Sequence, residues 1–139
     1  MKRLVSVFAL VAVCVCFTLS NFLSVHVLAT PHAPHAVEIK SGPELESTNE
    51  SMAIIRWTTT NPGGTDLHYG IVHSGTDAKN LDQVAKSPNR RNHEHPDMIF
   101  RVRVGGLSPQ TTYYYTVEST GSTGANDGES SPIKMFKTK

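Results

Sequence analysis

Gly106-Leu107-Ser108-Pro109-Gln110-Thr111-Thr112-Tyr113 is the stretch that decides the fold. It has the form Leu-x-Pro-x-Thr-x-Tyr. Pro109 fixes one backbone dihedral and opens a turn between two strands. A tyrosine four residues later can fold back over that turn. It buries its ring while its hydroxyl meets a backbone group, an arrangement known as a tyrosine corner. Leu107 supplies apolar cover and Thr111 fits the turn.

Strands extend on both sides of this corner. Upstream, Met98 to Val104 alternates, with Met98, Phe100, Val102 and Val104 on one face and Ile99, Arg101 and Arg103 on the other. Such a strand belongs to an antiparallel sheet with one wet side. Downstream, Tyr113, Tyr115 and Val117 share a face and Tyr114 points the other way. Ser51 to Thr60 alternates too, with Ala53, Ile55 and Trp57 directed inward. Asn61-Pro62-Gly63-Gly64 then has the chemistry of a turn, and Leu67, Tyr69 and Ile71 alternate along the strand that follows. Val37 to Lys40 begins an irregular first strand, ended by Ser41-Gly42-Pro43. Gly75 to Asn92 is the least regular stretch, a short edge strand or loop anchored by Leu81 and Val84. Ser119 to Ser131 reads as a hairpin loop. Pro132 to Lys139 is the last strand, its inward face open between Ile133/Met135 and Phe136. No window has a helical period. About seven short strands predict an all-β, immunoglobulin-like sandwich over residues 37–139.

Residues 1–36 have a different character. Met1-Lys2-Arg3 is followed by the apolar run Leu4 to Phe17, then FLSVHVLA with Ala29 before Thr30. That order is a secretory signal over residues 1–29, with an earlier cut after Ser20 as an alternative. An uncleaved anchor is a second alternative, since a bilayer core of about 30 Å needs about 20 apolar residues. A lipoprotein signal at Cys14 or Cys16 is a third. Only an uncleaved segment would tie the protein to a membrane. Each case places the domain outside the cytoplasm: secreted, periplasmic or associated with the cell envelope. Residues 30–36, with Pro31 and Pro34, form a spacer. Lys2 and Arg3 are two of the 13 basic residues, so the rest carries 11 against 12 acidic ones, a net charge of −1. A near-neutral domain lacks the basic stripe of a nucleic-acid binder. Both cysteines lie in the N-terminal run, which leaves the domain without a disulfide framework.

Three features bear on chemistry. His93-Glu94-His95 is a weak metal candidate, because His93 and His95 would share a face on a strand; a polar loop is the favoured reading. Arg101 and Arg103, with Arg90-Arg91, could meet an anion, although a solvated strand face accounts for them. Tyr114 is a candidate to stack on a sugar or anchor a partner. No serine elbow or phosphate-binding loop is present. No catalytic residue and no cofactor site is assigned, and an unknown protein or carbohydrate is the expected partner. Asn49-Glu50-Ser51 is a glycosylation sequon.

Trp57, Tyr69 and the Leu107–Tyr113 corner resemble the fibronectin type III family. Ile55-Arg56-Trp57-Thr58-Thr59, Leu67-His68-Tyr69-Gly70, Gly106 to Tyr115 and Phe136-Lys137-Thr138 are similar, more narrowly, to the N-terminal β-sandwich of purple acid phosphatases and related metallophosphoesterases. The resemblance implies a sandwich without a metal centre, since those enzymes hold their metals in a separate α/β domain. A sandwich with no recognisable site leads, separately, to the expectation of a noncatalytic module for binding or spacing. The alternative is an accessory domain, or a truncated or split part, of a metallophosphoesterase.

Overall fold

The structure is a computed structural model and describes residues 37–139. The expected signal over 1–29 and the spacer over 30–36 lie outside the described residues. Seven strands follow one another: β1 Ile39–Thr48, β2 Met52–Thr60, β3 Leu67–Gly75, β4 Gln83–Arg90, β5 Asp97–Gly105, β6 Thr112–Gly121 and β7 Lys134–Lys137. β1-β2-β5 form one sheet and β4-β3-β6-β7 the other, every neighbour antiparallel. The two sheets pack face to face as an all-β sandwich.

β2 and β5 run in unbroken register from Met52↔Gly105 to Thr60↔Asp97. Their alternating side chains place Ala53, Ile55, Trp57, Met98, Phe100, Val102 and Val104 in the core. Val72, Tyr113, Tyr115, Val117 and Phe136 meet them from the opposite sheet. Trp57 stacks on Phe100 with ring centroids 5.2 Å apart. The tyrosine corner forms as the sequence predicts: Tyr113 is buried and its hydroxyl accepts a 2.9 Å hydrogen bond from Ser108 N. Thr111 Oγ1 donates to Pro109 O at 2.8 Å, and Thr138 Oγ1 donates to Ser108 O at 2.6 Å. The last strand therefore locks the turn that begins β6.

Four elements differ from, or complete, the sequence reading. β1 does not stop at Ser41-Gly42-Pro43; it passes through them with register shifts and reaches Thr48. Pro43 is buried there, and its carbonyl accepts from Lys134 Nζ at 2.8 Å. The irregular stretch contains β4, an edge strand on β3. In β7 Phe136 faces inward while Ile133 and Met135 are exposed.

The fourth difference concerns β3. Leu67, Tyr69 and Ile71 do share a face, but it is the outer one. The inward positions are His68, Gly70, Val72 and Ser74, all buried. Tyr69 is thus no core residue; it is half-buried, with Lys86 Nζ 4.0 Å from its ring centroid. The cause is the Trp57–Phe100 stack. A Cβ at Gly70 would sit 2.9 Å from both rings, closer than packing allows, so the strand passes the stack at a glycine.

Candidate functional site

The loops 61–66, 91–96 and 122–133 meet at one end of the sandwich. Asn61 Nδ2 donates to Asn92 O and His95 O, and Arg91 Nη2 donates to Gly64 O. Val37 N donates to Asp127 O at 2.8 Å, so the chain entering β1 lies against the third loop. Gly128 permits this approach, because a Cβ there would lie 2.4 Å from Val37 N.

The metal candidates sit on this rim. His93 and His95 lie in a turn rather than a strand, so the shared face that would have paired them is absent. Arg91 Nη2 lies 2.7 Å from His93 Nδ1, which places that nitrogen as an acceptor. His93 Nε2 lies 2.8 Å from Asp66 Oδ1 and is placed as the donor. Metal binding needs a ring lone pair, and the Arg91 contact occupies it. Among the described residues no three His, Cys, Asp or Glu side chains converge as a metal site.

Arg101 and Arg103 fall on the outer face of the three-stranded sheet, whereas Arg90 ends β4 of the other sheet and Arg91 lies in the loop that follows. Arg101 Nε donates to Glu46 Oε1 at 3.1 Å and Oε2 at 2.9 Å, while Arg56, opposite it in register, pairs with Glu44 at 3.0 Å. Lys40 and Asp97 add a third pair on the same sheet. Arg103 is exposed opposite Ile54. This is an interleaved charge ladder of exposed pairs, each contributing about 0–1 kcal/mol. Tyr114 lies on the outer face of the other sheet, half-buried beside the exposed Met135. The structure does not bring Arg101, Arg103, Tyr114 and the histidines into one site.

The loop end instead holds a feature that the sequence reading missed. His68 and Asp127 are both buried, with Nδ1 2.7 Å from Asp127 Oδ2 and Nε2 2.9 Å from Thr65 O. The Thr65 carbonyl can only accept, which places Nε2 as a donor, while Nδ1 meets the Asp127 carboxyl group. The pair closes the floor of a cavity of about 400 Å³ lined by both glycine-rich loops, from Pro62 to Thr65 and from Gly121 to Asp127. His68 would have been legible as inward-facing had the period of β3 been anchored on Gly70. Asp127 carries no sequence signal, being one acid in a Gly- and Ser-rich loop. Deeper in the core, burial and the nearby Glu44 carboxylate raise the Tyr115 pKa above its ordinary value.

Residues 41–138 match the profile of the purple acid phosphatase N-terminal domain, nearly the whole sandwich. The chain belongs to that family. The match takes in the N-terminal domain of those enzymes and no part of a catalytic domain. No curated protein matches the chain. Among solved structures, it is similar to the sensor domain of the anti-sigma factor RsgI4 of Pseudobacteroides cellulosolvens. The shorter form of that domain is 24% identical with a TM-score of 0.50, the likeness covering 76% of this chain and 95% of that one. The longer form is 23% identical with a TM-score of 0.49, covering 73% and 88%. These likenesses concern the fold.

Proposed function

We propose that the protein is an exported, noncatalytic β-sandwich module that binds or spaces at the cell envelope or outside the cell. The observation that carries this reading is the extent of the family match. It spans residues 41–138, so the noncatalytic N-terminal domain takes in nearly all of β1 to β7. Residues 1–29 supply the export signal, and the three loops at one end supply a surface for a protein or carbohydrate partner. Expression of the full chain with a C-terminal tag, followed by N-terminal sequencing, tests export. The mature chain is expected to begin at Thr30 and to be found outside the cytoplasm. An intact Met1 on a cytoplasmic product contradicts the reading.

A second reading is favoured by the same family. The domain would serve as the accessory or split N-terminal part of a purple acid phosphatase-like metallophosphoesterase. The frame downstream of the Lys139 codon discriminates: metallophosphatase motifs rich in Asp, Asn and His support this reading, and an unrelated gene removes it.

A further inference from the structure

We propose that the cavity between loops 61–66 and 122–127 is a binding site for a neutral, hydroxyl-bearing small ligand, such as a single sugar ring. The proposal deepens the reading of a binding module by naming its site and ligand class. Its volume of about 400 Å³ lies within the range of roughly 300–1,000 Å³ typical of small-molecule sites.

The floor carries the recognition chemistry. Asp127 gives Oδ2 to His68, at 2.7 Å. Its second oxygen, Oδ1, lies beside Gly121, 3.5 Å from where a Cβ would stand. Among the described residues no donor is hydrogen-bonded to Oδ1. A carboxylate oxygen with an open acceptor position can take a hydrogen bond from a ligand hydroxyl. Because the carboxylate already faces the His68 ring, a neutral donor completes the site without adding charge. The walls narrow the class further. Pro62, Gly63, Gly64 and Ala125 present C–H surface, which suits the apolar face of a ring, while Thr65 and Thr123 place hydroxyl-bearing residues at the lining. No lysine or arginine lines the cavity, and His68 has both nitrogens engaged. An anion such as phosphate would meet the Asp127 carboxylate with no lysine or arginine in the lining to offset it.

Titration of the isotope-labelled exported protein with methyl glucoside, methyl galactoside and methyl mannoside, followed by amide NMR, tests the proposal. At least one glycoside is expected to give saturable shifts centred on Thr65, Gly121 and Asp127. Asp127→Asn is expected to weaken them about tenfold, since the amide cannot accept from both His68 and the ligand. Ala125→Phe fills the cavity from an exposed loop position and is expected to abolish the shifts while the remaining spectrum stays dispersed. Shifts that persist in Ala125→Phe, or no shifts with any glycoside, overturn the proposal. So does stronger binding of n-butylammonium or inorganic phosphate at the same amides. Such a failure leaves the N-terminal sequencing result unaffected, so it is distinguishable from failure of the export reading.

Discussion

Trp57 governs its surroundings more than any other residue. Its ring is 1% exposed, stacks on Phe100 and dictates a glycine at position 70 on the facing sheet. Trp57→Ala is expected to cost about 3–5 kcal/mol, read as a large fall in melting temperature. Tyr113→Phe removes one hydrogen bond while keeping the ring, so its cost is smaller, about 1 kcal/mol or somewhat more as Ser108 N loses its acceptor. The order of these two losses checks which contact holds the sandwich. Tyr115 adds a pH dependence. Its pKa is raised above 10.0, first by burial and then by Glu44, so the unfolded chain ionises at lower pH than the folded one. Its contribution is therefore complete below about pH 10 and is lost as pH rises through the higher folded value. Tyr115→Phe is expected to flatten the alkaline limb of a stability–pH curve. An unchanged limb would show that Tyr115 does not cause it.

At the scale of elements, legibility followed the contrast between faces. β5 was readable because Met98, Phe100, Val102 and Val104 alternate with a face carrying Arg101 and Arg103, and β2 because Ala53, Ile55 and Trp57 fall at every second position. β3 was readable as a strand but not in phase. Its bulky residues lie outside and its inward face carries His68, Gly70 and Ser74, small or polar groups that fit only because Trp57 and Phe100 fill the space opposite. β1 hid its length behind Gly42-Pro43, which act elsewhere as a stop and here kink a continuous strand. β4 has only Val84, 62% exposed, as a large apolar residue, so nothing in its sequence announced an edge strand. Exchange protection should rank with these positions. Amides of β2, β3 and β6, each flanked by strands on both sides, are expected to exchange slowest; β4 and β7 should exchange faster. Equal protection across β4 and β3 would contradict the assigned strand order.

For the whole molecule, the sandwich was legible and the cavity was not. The corner, Trp57 and the strand count pointed to two antiparallel sheets, because each rests on local chemistry. The His68–Asp127 floor joins residues 59 positions apart, one on a misphased strand and one in a loop without a pattern. Only the closing of the loop end brings them together. His93 and His95, neighbours in sequence, lie outside any strand, and the His93 ring is tied to Arg91 and Asp66. The central claim is that a family member with this sandwich performs recognition rather than hydrolysis. Hydrolysis of p-nitrophenyl phosphate by the purified exported protein, with iron, zinc or manganese added across acid to neutral pH, tests it most directly. Rates equal to the metal-only blank are expected. Saturable, metal-dependent turnover that follows the protein through purification would contradict it.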